Sequence, residues 1–330
     1  MYLMDEIVQC DARLAATGKP VPPSLRVYAE MAERLKLAPR YLLDSKSAHA
    51  SCELTFGRPK IMLDSLATLK LRYPVLWCEW EEAGRQVLRD KLGDAYEGIP
   101  GRRSPTRCGF LLDVEEGGRR GLVTWCWSEP SGNFPNISPI GCYFDLDNRF
   151  KQGATLVDAL KRSRLINPWI NNPVQEAAFL EIWETSEHRP TPAGMEFLYA
   201  VSSTRRSIAS ALENFYCDVY GEYINFWAVM LLLTAARPVV EYISVDRSKI
   251  NKARIKKRQA PLLDHHAVTM HLVKHSKREL ERGPLDFTRK SPHIHLVSRY
   301  LNHRNDKHWI VEPFVRGSGE PVPKHIHVRG

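Results

Sequence analysis

The chain has 330 residues, of which 43% are hydrophobic and 26% charged, with 47 Lys and Arg against 38 Asp and Glu. That balance excludes a disordered polymer and supplies enough apolar mass for a sizeable core without disulfides or metals. At about 150 residues per domain, two domains are the expectation.

Residues 24–37, SLRVYAEMAERLKL, place Leu25, Tyr28, Met31, Ala32 and Leu35 at helical spacing, with Ser24 as N-cap. Further helices are expected near Asp64–Leu71 and Glu79–Leu92, so the start of the chain reads as mainly helical. Gly98–Arg107 is a Pro/Gly/Arg loop. CGFLLDV and LVTWCW then flank EEGGRRG, which predicts a β-hairpin turning at Gly117-Gly118, and IGCYFD offers a third strand. Helical patterning returns in TLVDALKRSRL, in VQEAAFLEIWETS and over a long stretch from Phe197 to Ala236, which Pro238 ends. The most apolar window, Tyr223–Ala236, is 14 residues long and contains Asn225. It is too short to span a bilayer and reads as a buried core helix, so no membrane partner is expected.

The character of the chain changes near residue 246. From Arg247 onward 19 Lys and Arg face 7 Asp and Glu, whereas the first 246 residues hold 28 and 31. Ten of the 12 histidines lie at or after His265. The run RSKINKARIKKR reads as a mobile connector or a nucleic-acid arm. AVTMHLV, PHIHLVSRY and HWIVEPFV read as strands. The expected fold is therefore α+β. It has a helical N-terminal part, a central antiparallel hairpin or small sheet packed by helices, and a small basic α+β C-terminal unit. The expected division is a body over 1–246 and a basic, His-rich domain over 247–330.

A basic segment beside a near-neutral body suits a polyanion such as RNA or DNA, the alternative being a solvated basic face. Lys252, Arg254, Lys256, Lys257, Arg258 and Arg299 are the candidate phosphate contacts. Phe110, Trp125 and Trp127 of the hairpin could line an apolar groove or a stacking platform, against the alternative of simple packing. On a strand His293 and His295 would project from one face, a spacing used both for metals and for acid–base chemistry, though plain structure is the commoner use. His265, His266, His271 and His275 could share a face if that stretch is helical. No P-loop, dinucleotide fingerprint, nucleophile elbow or kinase set is present, so nucleotide hydrolysis and α/β-hydrolase chemistry are not expected, nor is a cofactor; no carboxylate cluster or cysteine completes a metal set beside the histidines, so no metal is expected. The seven cysteines are odd in number and lack CxxC spacing, which fits reduced, mostly buried thiols in a cytosol.

Two segments carry a family resemblance: NFWAVMLLLTAARPVVEYISVDRSKINKARIK and KSPHIHLVSRYLNHRNDKHWIVEPFVRGSGE. An apolar helix, a basic linker, a PHI segment and a Trp/Val-rich strand that here ends in Pro313-Phe314-Val315 resemble a phage and plasmid family, the type V-A anti-CRISPR proteins that suppress biosynthesis of their target. Pro292, His293 and Ile294 match the family pattern, with Trp309 and Pro313 as looser matches. His295-Leu296-Val297-Ser298 stand where the family has Arg-Arg-Gly-His, so no role tied to that second histidine transfers. The resemblance implies a protein of the bacterial host cytoplasm that recognises the nascent N-terminal peptide of a type V-A CRISPR effector nuclease. It also implies contact with RNA or the ribosome and loss of the effector's mRNA. The competing expectation is a histidine-dependent nuclease, with His293 and His295 as acid and base, or a nucleic-acid-binding accessory protein. No complete catalytic set is visible, which favours a binding module over an enzyme.

Overall fold

The structure is a computed structural model that describes residues 1–22, 25–57, 59–83, 106–129, 134–150, 173–191, 195–196, 205–234, 240–270, 295–297, 300–304, 307–311 and 314–316. The chain divides into two compact units, one of Met1–Leu232 with Tyr242–Thr269 and a smaller one of Leu233–Glu241 with Met270–Gly330.

The fold is α+β. Among the described residues its helices are α1 (Leu3–Ala16), α2 (Arg26–Leu37), α3 (Ser45–Gly57), α4 (Pro59–Leu66), α5 (Pro173–Trp183), α6 (Arg205–Thr234) and α7 (Ser248–Lys256). A mixed nine-stranded sheet runs through the larger unit. It uses β1 (Arg40–Leu43), β2 (Val75–Glu81), β3 (Arg107–Val114), β4 (Arg120–Ser128), β5 (Asn136–Ile137), β6 (Ile140–Asp145), β7 (Ser186–Pro190), β8 (Val240–Val245) and β9 (His265–Met270). The strand order is β7-β6-β4-β3-β2-β1-β9-β8, with β5 alongside β4. β1 pairs in parallel with both β2 and β9, while β2, β3, β4, β6 and β7 form an antiparallel meander. In the smaller unit β10 (His295–Val297) pairs with β13 (Phe314–Arg316), and β11 (Tyr300–Arg304) pairs with β12 (Lys307–Val311).

Each central strand is buried on both faces, which explains its continuous apolar run. One face presents Leu42, Trp77, Leu111 and Cys126 to α1 and α2, which answer with Leu3, Met4, Ile7, Val27, Tyr28, Met31 and Leu35. The opposite face presents Phe110 and Phe144. Phe110 lies edge-on to Phe226 of α6 at 5.1 Å, and Phe144 lies edge-on to Trp227 at 5.1 Å. From Tyr223 to Val229 nearly every residue of α6 is fully buried, so this stretch is apolar all round because it is enclosed all round. The turn between β3 and β4 needs positive φ at Gly117 and Gly118 (93° and 74°), and the Gly118 carbonyl accepts the Leu71 N–H at 2.9 Å.

The hairpin, the third strand and helices α2, α5 and α6 match the sequence reading. Several expectations are corrected. Glu79–Glu81 belong to strand β2, because alternate residues there meet two different packed layers, a pattern that over so short a run resembles a helical face. RSKINKARIKKR is not a loose connector: it folds into α7 and its C-terminal turn. His265 and His266 lie on strand β9, and β9 belongs to the larger unit's sheet although it follows residue 246. Ser24, the loop near residue 100 and the segment TLVDALKRSRL lie outside the described residues. Among the described residues no helix is long and apolar enough to cross a membrane. Cys10, Cys78, Cys108, Cys126 and Cys142 are free thiols, and burial pushes those of Cys78, Cys126 and Cys142 above the usual range.

Candidate nucleic-acid interface

Helix α7 owes its existence to its two ends. The Asp246 carboxylate accepts the Ser248 N–H at 2.7 Å and the Ser248 hydroxyl at 2.8 Å, which closes the entry turn. Those bonds hold its pKa below the usual carboxylate value. At the far end Arg258 takes φ 55°, the Gln259 N–H donates to the Arg254 carbonyl at 2.9 Å, and the Arg258 N–H donates to the Ile255 carbonyl at 2.9 Å. This is a Schellman stop, whose left-handed position favours glycine. Arg258 is the one non-glycine residue with positive φ among the described residues.

One side of α7 is tied down. Asn251 donates its amide to the Leu262 carbonyl and accepts the Leu262 N–H, both at 2.8 Å. Arg254 Nε donates to the Ala260 carbonyl at 2.8 Å. The returning segment continues to Leu263, whose N–H donates to Asp5 at 2.9 Å, and to Asp264, which accepts the Arg247 N–H at 2.7 Å. The opposite side carries Lys249, Lys252 and Lys256, all exposed. Spacings of three and four residues bring them within about 60° of one another around the helix, so they form one crest. Lys257 and Arg258 extend this positive surface past the helix end and are also exposed.

The anchorage reaches a buried polar centre under the first turn of α1. The Glu79 side chain is fully buried and accepts the Leu3 N–H (3.0 Å), the Met4 N–H (2.9 Å), the Trp77 indole N–H (2.9 Å) and Arg107 Nε (2.9 Å). A carboxylate at a helix N-terminus satisfies orphan amides and opposes the positive end of the dipole. Gly109, directly opposite Glu79 in the register, makes the approach feasible: a Cβ there would lie 2.8 Å from the Cys78 carbonyl and 2.9 Å from Glu79 Cβ. The Tyr2 ring lies within cation–π reach of Arg107 (4.9 Å) and Arg247 (4.8 Å) and edge-on to His265 at 4.9 Å. Burial raises the Asp5 pKa despite the nearby Arg247 and Arg254, and burial lowers that of His265. This centre does positional work: it fixes the body to the segment that carries α7.

The structure sorts the candidate residues. Lys252, Lys256, Lys257 and Arg258 are on the open side, while Arg254 is turned toward the body and its Nε is committed to backbone. Lys249 joins the crest; the sequence reading missed it because the basic run looks densest from Lys252 onward and only the helix period aligns Lys249 with it. Arg299 and His293 lie outside the described residues; His295 opens β10 opposite Arg316. Phe110 and Trp125 are buried, at 0% and 5% exposure, so they are core residues and offer no groove. Trp127 is half-buried and donates its indole N–H to Glu129 at 3.2 Å. Among the described residues no three His, Cys, Asp or Glu side chains group to hold a metal ion. Compared with protein-family models, curated proteins and solved structures, the chain matches none.

Proposed function

We propose that this chain is an RNA-contacting anti-CRISPR protein of a phage or plasmid. It recognises the nascent N-terminal peptide of a type V-A CRISPR effector in the bacterial cytoplasm and lowers the effector's message. The observation that carries the RNA part is the exposed cationic surface of α7. Three lysines share one crest, and an arginine occupies the left-handed position where glycine would be the stable choice. Like charges three and four residues apart on a helix repel each other, so this crest gains from a polyanion laid along it. Strain retained at one surface residue points the same way. The peptide part is supported by the family resemblance of the two quoted segments. The chain acts as a binding module, with the message removed by machinery that it engages. Two assays test this: binding to labelled RNA at low salt, and a pull-down with the effector's N-terminal peptide against a scrambled control. Saturable binding in both is expected. Failure of the peptide to bind removes the effector from the reading, and failure of RNA to bind removes the role given to α7.

A further inference from the structure

We infer that the α7 crest reads only phosphate, and that its preferred ligand is a base-paired nucleic acid, most directly an RNA duplex, rather than an unpaired strand. This rests on the RNA reading above. The crest consists of Lys249, Lys252 and Lys256 with Ala253 beside them, and Lys257 and Arg258 follow. None of the nine residues of α7 is aromatic. Proteins that hold unpaired strands add stacking platforms to their charge, because each stacked base contributes binding that charge alone does not supply. Base reading uses planar, hydrogen-bonding side chains such as Arg, Asn and Gln. The two such side chains within α7, Asn251 and Arg254, are turned inward and bonded to the Leu262 and Ala260 backbone. What remains along the helix itself is a row of ammonium groups about 10 Å long, set by the helix rise of about 1.5 Å per residue, with the exposed planar side chains of Arg258 and Gln259 only past its end. A flexible ammonium is a point charge without directional preference, so the row responds to charge density and not to sequence. A duplex offers roughly twice the charge per unit length of a single strand, and that decides the preference. Sequence selection, where the protein shows any, resides elsewhere in the chain.

The test is fluorescence anisotropy over a salt series. The probes are two RNA duplexes of unrelated sequence, one of their unpaired strands and a DNA duplex, and the proteins are the full chain and its K249Q/K252Q/K256Q variant. The parent should bind both RNA duplexes within about threefold of each other and the unpaired strand more weakly. The variant should lose about two to three from the slope of log K against log salt on the duplex, since each phosphate contact contributes about 0.9. Its thermal midpoint should not fall, because the substitutions relieve repulsion at exposed positions. Three results would overturn the inference: an unchanged slope in the variant, tighter binding of the unpaired strand, or discrimination between the two duplexes that disappears with the lysines. A DNA duplex bound as well as RNA is expected of a phosphate reader. A parent that binds no RNA at low salt overturns the RNA reading itself, whereas a parent that binds with an unaltered variant slope overturns only the inference.

Discussion

Replacing Arg258 by glycine separates what this residue does for the fold from what it does for binding. Arg258 holds φ 55° at the end of α7, where its amide and that of Gln259 close two hydrogen bonds of 2.9 Å. A side chain in that region costs about 1–2 kcal/mol, and glycine relieves it. Glycine also loses about 0.5–1 kcal/mol more backbone freedom on folding. The net expectation is a gain of about 0.5–1 kcal/mol, or about 2 °C in thermal midpoint for a unit of this size. The exposed guanidinium goes with the strain, so RNA affinity should drop by about three- to tenfold near physiological salt, and the salt slope should shrink by about 0.9 on a duplex. Thermal unfolding followed by tryptophan fluorescence reads the first quantity, and anisotropy titration reads the second. Stability that falls would refute the assignment of a Schellman stop. Stability that rises with RNA binding unchanged would show that the arginine is strained without serving the interface.

Three further outcomes follow from the body. Glu79→Ala leaves Arg107 Nε, the Trp77 indole N–H and two helix amides without their acceptor, while Arg107 keeps its pair with Glu81 (2.8 Å), and should cost about 2–4 kcal/mol in urea unfolding. By comparison, removing the exposed Lys36–Glu33 pair (2.6 Å) should cost under about 1 kcal/mol, and equal losses would contradict the burial argument. Gly118→Ala puts a Cβ 2.3 Å from the Leu71 carbonyl at φ 74°, which should cost about 2–4 kcal/mol; a neutral result in the same assay would mean that the turn can move away from Leu71. Burial lowers the pKa of His188, stacked on Trp183 at 5.7 Å, to about 4. A histidine that is harder to protonate when folded stabilises fully above its unfolded value of about 6.5, and the contribution fades as pH falls toward 4, by up to about 3 kcal/mol. His188→Leu should therefore lose less stability than the parent between neutral pH and pH near 4.5, and parallel curves would refute the shift.

The sequence made the meander legible because strand pairing there is local and turn chemistry is explicit at Gly117-Gly118. β1 and β2 were hidden for the opposite reason. β1 is four residues long and pairs in parallel with β9 some 220 positions later, a contact no local period announces. The end of β2 reads as the start of a helix because Trp77 and Glu79 face one layer while Cys78 and Trp80 face the other, so from Leu76 to Trp80 no residue marks a solvent face. The cationic segment was legible from charge alone. Its sorting was not, since only the helix period and the inward bonds of Asn251 and Arg254 separate the crest from the anchored side. The aromatic hairpin misled in a familiar way: Phe110 and Trp125 have the composition of a recognition surface, yet both are buried, Phe110 against Phe226 of α6. Glu79 could not be recognised at all, because its partners come from α1, β2 and β3.

The most direct test of the proposed activity is quantification of a reporter message whose first codons are those of a type V-A effector, in bacteria with and without this protein. The account predicts that the message falls, that a reporter with a scrambled leader is untouched, and that the K249Q/K252Q/K256Q protein weakens the effect. A message level that does not change in the presence of stably folded protein would contradict it.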